Sequence, residues 1–343
     1  MLSFTTQVLP LPYPRKDFTG KTILITGANT GIGLEDARHL VRLNANKVIL
    51  GCRDLETGKI AKRNIESTNH VAATNDVPTV EVWQVDLGSF DSVRYFCHRA
   101  TTLDRLDVVV ENAGTLGISF KVAEGYERIT TVNVISTWLM ALLLLPILRT
   151  TKVKYYGNSS TSDSESQGEA VPHLVVVGSN AHFYTAFDGR DKPSIFEHYR
   201  TDSDMFHRHA NTKLISLFFA REVASRMLER KKNGKPEIVL NIVEPSSCKT
   251  QLLREKGSWP WAYNAFVTVG FGLIGRTPEM GARTYISAAQ AGWKSHGIYL
   301  EDCKLSTPHE FVESAEGARL QKRIYGELVE ILEKISLGIS QNI

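Results

Sequence analysis

Near the amino end a β-branched run, Thr22-Ile23-Leu24-Ile25, passes into Thr26-Gly27-Ala28-Asn29-Thr30-Gly31-Ile32-Gly33 and then directly into the helical pattern Leu34–Leu43. No other feature constrains the fold so tightly. Glycines allow a tight turn and let the backbone come close to an anion. The helix that follows offers unpaired N–H groups and a positive dipole end. In this strand–turn–helix context the octet predicts a dinucleotide site, with Gly27, Asn29, Thr30, Gly31, Ile32 and Gly33 cradling a diphosphate.

The rest of the chain keeps the same rhythm. Thr22–Ile25, Lys47–Leu50, Thr79–Gln84, Asp107–Val110, Leu174–Val177 and Ile238–Val243 read as strands, and a short one is expected near Gly297–Leu300. Leu34–Leu43, Leu55–Ser67, Phe90–Thr102 and Lys213–Arg230 read as helices. This alternation predicts an α/β fold: a single-domain, Rossmann-like, doubly wound parallel sheet with helices on both faces. The 343 residues would suggest about two domains at roughly 150 residues each, but α/β folds often run longer as one unit. The expected division is an extension over 1–17, a core domain over 18–308 and a helical tail over 309–343. Two stretches break the pattern. Residues 156–169, rich in Ser, Gly and acid, read as an inserted exposed loop. Residues 251–276 read as an apolar lid, ending where Thr277-Pro278-Glu279 starts a helix with Thr as N-cap.

Forty Lys+Arg against 37 Asp+Glu leave a formal charge of +3, which gives no reason to expect nucleic acid or an anionic membrane as partner. Cys52, Cys97, Cys248 and Cys303 lie far apart, without a CxxC or a metal-ligand spacing. They fit neither a disulfide scaffold nor a zinc site, no metal is expected, and a reducing compartment suits them. The first 18 residues carry three prolines and no secretory pattern. The uncharged apolar stretch Trp259–Ile274 is shorter than the ~20 residues of a bilayer helix. The cytosol is the expected location.

The loop spacing is TGxxxGxG, and with it the chain resembles the short-chain dehydrogenase/reductase superfamily, NAD(P)-binding enzymes of extended Rossmann fold. Other motifs follow in the family's order. Asp86, in Val85-Asp86-Leu87, matches the acid that meets the adenine. Asn112-Ala113-Gly114 matches the NAG motif, so Asn112 and Gly114 are implied to support the cofactor. Asn133, in Thr131-Val132-Asn133-Val134, falls at the helical catalytic Asn. Ser179 follows the fifth strand, and Lys213 stands at the catalytic Lys. Pro245 and Thr250 fit the PGxxxT loop beside the nicotinamide, although Ser246 stands where Gly is usual. The resemblance runs from about Phe18 to Pro308. Glu124–Glu127, Arg276–Glu279 and Tyr299–Lys304 are most similar to the retinol-dehydrogenase-like branch and its fungal relatives.

Two departures bear on chemistry. At the tip of the second strand Cys52 takes the place of the NAD-type acid and Arg53 follows, a pattern that suits a 2′-phosphate and predicts NADP(H). The second departure is sharper. The family places a Tyr four residues before its Lys, on one helix face, and here that position holds His209. Three readings follow: His209 is the acid/base of a slowed reductase, or it serves a non-redox isomerase, lyase or cyclase, or the protein binds a dinucleotide without chemistry. The leading expectation is an NADP(H)-dependent oxidoreductase with Asn133, Ser179, His209 and Lys213 as its catalytic set. Its substrate would be the carbonyl or alcohol of a lipophilic metabolite, sheltered by the lid. The resemblance also implies a homodimer or homotetramer and a tailoring step in secondary metabolism. His182, His198 and His207 read as loop or surface residues.

Overall fold

The computed structural model describes residues 7, 9–68, 78–157, 171–185, 187–231, 234–249 and 275–343. Its main sheet contains β1 (Thr22–Thr26), β2 (Lys47–Cys52), β3 (Thr79–Gln84), β4 (Val108–Glu111), β7 (His173–Val177), β8 (Val239–Glu244), β9 (Tyr299–Glu301) and β10 (Lys304–Ser306). Their spatial order is β10-β9-β8-β7-β4-β1-β2-β3. Two short strands, β5 (Val122–Ala123) and β6 (Tyr126–Glu127), form a separate hairpin. The order reverses beside β1, leaving a crevice between β1 and β4 at the carboxyl ends of the strands, where α/β proteins bind ligands.

Strand periodicity divides the core into two layers. Ile23, Ile25, Val48, Leu50, Val108, Val110, Val175 and Val177 point to one face. There they meet helices α1 (Gly31–Arg42), α2 (Leu55–Thr68) and α7 (Pro278–Ala288). Leu24, Ile49, Val109, Leu174, Val176 and Leu240 point to the other. This second face is covered by α3 (Phe90–Ala100), α4 (Arg128–Tyr156), α6 (Arg208–Glu229) and α8 (Ala315–Ile335). A short helix, α5 (Ile195–Thr201), precedes α6. The fold is the expected three-layered α/β sheet, parallel except at one edge, where β10 runs antiparallel to β9. Asp302 and Cys303 make that reversal possible, with φ of 52° and 61°, as a two-residue hairpin turn of primed type requires.

Several expectations need correction. Helix α1 begins at Gly31 and not Leu34, because glycine itself forms the first turn. Helix α6 begins at Arg208 and not Lys213. The buried Arg208 guanidinium holds that first turn, bonding the Asp202 carboxylate at 2.8 Å and the Tyr199 carbonyl at 3.0 Å. Helix α4 is an element the periodicity did not mark. It is long and apolar enough to cross a membrane by length and composition, yet 78% of its most apolar 18-residue window lies inside the protein. Being apolar on every side, it lacks the one-sided stripe that betrays a surface helix. His182, read as a loop or surface residue, lies in the turn after β7 and is buried there, with Nδ1 2.7 Å from the Ser179 carbonyl.

The tail is packed against the body. Leu320, Ile324, Leu328 and Leu332 of α8 are buried against α6 and its neighbours, and Tyr325 stacks on Phe219 with ring centroids 5.5 Å apart. All four cysteines are free thiols. Residues 158–169 of the inserted loop and 251–274 of the lid lie outside the described residues.

Candidate active site

The crevice is floored by the glycine turn. Gly27 and Gly31 adopt φ of 66° and 61°, a region where side chains are strained. Gly33 is required for a different reason. A Cβ there would lie 2.6 Å from Asn112 Nδ2 and 2.9 Å from the Gly27 carbonyl, so only glycine lets helix and turn pack this closely. The Asn112 amide donates to the Thr26 carbonyl at 2.7 Å and to the Gly27 carbonyl at 3.2 Å, tying the end of β4 to the turn. At the start of α1 the Thr30 side chain makes no cap hydrogen bond, and no acid occupies the first turn. In contrast, α3, α7 and α8 are capped by Ser89, Thr277 and Ser314. A 12-residue helix opening on glycines without an anionic cap fits a diphosphate. Ile32 lies beside this turn, where a Cβ on Gly281 of α7 would touch it at 3.4 Å.

The second group lies at the reactive end. Around Asn133 helix α4 widens into a π-turn, Thr131–Ser136, and the displaced Asn133 carbonyl accepts from Ser216 Oγ of α6 at 3.2 Å. The Asn133 amide pairs with the backbone N–H and carbonyl of one residue, Thr115. Its Oδ1 accepts the Thr115 N–H at 2.8 Å, and its Nδ2 donates to the Thr115 carbonyl at 3.0 Å. Gly114 leaves room for this contact, since a Cβ there would sit 3.4 Å from Asn133 Oδ1. Asn133 Nδ2 also reaches Thr212 Oγ1, and Thr212 Oγ1 in turn donates to the His209 carbonyl at 2.7 Å.

His209 and Lys213 lie one turn apart on α6. His209 Nδ1 is 3.4 Å from the Thr115 carbonyl. A carbonyl only accepts, so Nδ1 carries the proton and Nε2 keeps its lone pair. Burial pushes this imidazole down to about 4, and the Lys213 ammonium reinforces the shift. The ring is therefore neutral at pH 7. Lys213 Nζ donates to the Val177 carbonyl at 2.7 Å, two residues before Ser179, and burial lowers its ammonium to about 8. Ser179 caps the turn Asn180–Tyr184 by accepting the Ala181 N–H at 3.1 Å, an arrangement that leaves its O–H able to donate.

The remaining candidates are more scattered. Arg53 is exposed at the tip of β2, next to Asp54, whose carboxylate accepts the Thr57 N–H at 2.7 Å. Asn29 Nδ2 reaches Thr57 Oγ1 at 3.1 Å, so the glycine turn and the start of α2 adjoin. Asp86 holds its own turn by accepting the Gly88 N–H at 2.8 Å. The Pro245 carbonyl accepts from the Cys248 thiol at 3.3 Å. Ser246 adopts the left-handed conformation of the usual glycine, with φ of 65°, and Arg276 Nη1 secures its Oγ at 2.7 Å. Thr250 lies outside the described residues. One cluster with metal-ligating atoms exists among the described residues, Asp188, His198 and Asp202. Its carboxylates serve protein donors: Asp188 accepts from Tyr199 and Asn211, and Asp202 from Arg208.

Comparison with known proteins places this geometry. Residues 21–154 match the short chain dehydrogenase family. The short chain dehydrogenase/reductase dmxR8 of Cryptosporiopsis sp. (strain 8999) is 35% identical over 343 residues, covering 97% of this chain and 96% of its own. The chain belongs to the short-chain dehydrogenase/reductase family. A second family member, the short chain dehydrogenase atnD of Emericella nidulans, is 40% identical over 302 residues, covering 87% of this chain and 89% of its own. Among solved structures, the Pseudomonas aeruginosa RhlG/NADP active-site complex shares the fold with a TM-score of 0.57 at 21% identity, covering 84% of this chain and 97% of that one.

Within this short-chain dehydrogenase frame, three positions stand out that motif reading passed over. Thr115, immediately after the Asn-Ala-Gly motif, supplies the carbonyl shared by Asn133 and His209. Tyr285 of α7 donates to Asn112 Oδ1 at 3.0 Å and so fixes which way that amide faces. Glu244 ends β8 as a buried carboxyl. Of these, only Glu244 carries a sequence signal, an acid closing an apolar strand.

Proposed function

We propose that the protein is an NADP(H)-dependent short-chain oxidoreductase acting on the carbonyl or alcohol of a lipophilic metabolite, as a tailoring step in secondary metabolism. The observation that carries the reading is the shared frame of Asn133, Thr115, His209 and Lys213 beside Ser179, next to a glycine turn fit for a diphosphate. The exposed Arg53, with Cys52 where an NAD-type acid would stand, supports NADP(H), and the NADP-bound structural neighbour is consistent with it. The aromatic, uncharged sequence from Trp259 to Ile274 supports a lipophilic substrate.

The bound nicotinamide would supply or accept the hydride. The chain's own residues handle the oxygen and its proton. Ser179 Oγ donates to the substrate oxygen. Lys213 holds positive charge at the carboxyl end of β7. His209, protonated on Nδ1, presents Nε2 as an acceptor, which suits removal of a proton from an alcohol better than donation to a ketone.

The same tautomer favours a second reading, a non-redox isomerase, lyase or cyclase in which Nε2 is the base. Turnover separates the two. An oxidoreductase changes one nicotinamide per product, whereas the alternative forms product without net loss of NADPH. In fluorescence titrations wild type should bind NADPH. On a panel of lipophilic carbonyls His209→Tyr should raise reductase kcat/KM by about 10²-fold or more, the worth of a well-placed proton donor. A variant that gains nothing, or a wild type that binds neither dinucleotide, would sink the proposal.

A further inference from the structure

Glu244 is the last residue of β8, and its parallel neighbour β7 ends one register step away, Val177 pairing with Val243. Both strands release into turns that the site uses: β7 into Ser179-Asn180, β8 into Pro245-Ser246. The Glu244 carboxyl lies between them and is 2% exposed. Its Oε2 accepts the Ser246 N–H at 2.7 Å, and the Asn180 N–H faces the carboxylate and favours its charged form. Asn180 directly follows Ser179, whose Oγ caps the same turn.

Among the described residues no cation pairs with Glu244. Arg276, which reaches the Ser246 turn, bonds Asp302 and Ser246 Oγ. Such a buried carboxylate persists in a fold only when backbone donors serve it. The two N–H groups that face it come from different turns, so the carboxylate stands where it can bracket them.

We propose that Glu244 is a positioning residue for Ser179, its carboxylate holding the Ser179 turn against the Ser246 turn by accepting an N–H from each. This rests on the reading of Ser179 as the partner of the substrate oxygen. The bracket is also sensitive to protons. Burial raises the Glu244 carboxyl to about 7, and Glu301 and Asp302 add to the rise. The other titratable groups facing it are Tyr184 on the Ser179 turn, Tyr299 on β9, Cys248 on the following turn and Tyr285 on α7. Burial keeps the phenols and the thiol protonated near neutrality. Above pH 7 Glu244 is the charged acceptor. Below it, one oxygen carries a proton, and a weaker neutral bond replaces a charge-assisted one.

The test begins with wild type and needs no substrate. In a ¹⁵N-labelled, deuterated sample, the Asn180 and Ser246 amides should titrate together with one midpoint near 7. Glu301→Gln should lower that midpoint, and Glu244→Gln should abolish it. Amides that titrate separately, or not at all, overturn the bracket. Activity tests the positioning. Glu244→Gln should lower kcat roughly tenfold, the worth of one charge-assisted bond, with KM changed less than about twofold. Its rate loss should be largest above pH 7 and vanish below it, while Glu244→Asp should retain the pH inflection. If the amides titrate together but kcat is unmoved, the bracket stands and the Ser179 reading falls, taking the positioning role with it.

Discussion

The imidazole of His209 is half-buried against the Thr115 carbonyl, and that has a thermodynamic signature independent of any substrate. Its ordinary value is 6.5 and the fold holds it near 4. The unfolded chain therefore binds this proton first as pH falls. The sign follows: the contribution to stability is present above pH 6.5 and is lost as pH falls through about 4. Its size is of order 3 kcal/mol at 1.36 kcal/mol per pH unit. Replacing His209 with Phe should flatten the acid limb between pH 6.5 and 4 by that amount, measured as urea unfolding free energy. Equal limbs in the two proteins would mean that the ring is not held neutral. At this scale the sequence singled out Asn133, Ser179 and Lys213 by side-chain type and spacing. It was silent on Thr115 and Tyr285, whose roles arise from contacts with residues far along the chain.

Among the elements, the junction of β1 with α1 bears a heavy steric constraint. A methyl group on Gly33 would press on the Gly27 carbonyl, a backbone atom that cannot rotate away. Gly33→Ala should cost about 1–3 kcal/mol of stability by overpacking. It should also weaken NADPH binding at least tenfold, read by fluorescence titration, because the turn must open to admit the methyl. An unchanged Kd would show that the turn does not touch the dinucleotide. The parallel strands were legible as short continuous apolar runs because both faces of the sheet are covered. The first turn of α6 was not, since Arg208 and His209 look like solvated residues until Asp202 and the Tyr199 carbonyl are seen to receive the guanidinium. The π-turn at Asn133 was likewise hidden, because nothing in Thr131–Ser136 departs from an ordinary apolar helix.

The molecule as a whole is closed on one side by its last long helix. Ile324, Leu328 and Leu332, spaced by four, are fully buried against α6, so α8 belongs to the same cooperative unit as the sheet. Leu328→Ala should lower the unfolding free energy by about 2–5 kcal/mol, the usual range for a buried leucine. The measurement is chemical denaturation with the transition remaining single. A separate early transition for α8 would contradict this. The parallel sheet and its two-sided covering could be inferred from the alternation of runs, whereas the antiparallel edge depended on a hairpin turn at Asp302 and Cys303, residues with no glycine to announce it.

The greasy interior of α4 also matters before the protein is finished. Ile129 to Leu148 contains no charged residue, and α6, which shields much of it, starts 60 residues later at Arg208. At ~5–20 residues per second of synthesis, that interval lasts several seconds. For that interval the nascent chain carries a segment apolar enough for a bilayer, partly covered by the earlier α3 and β4 but still without α6, and so open to capture by a chaperone.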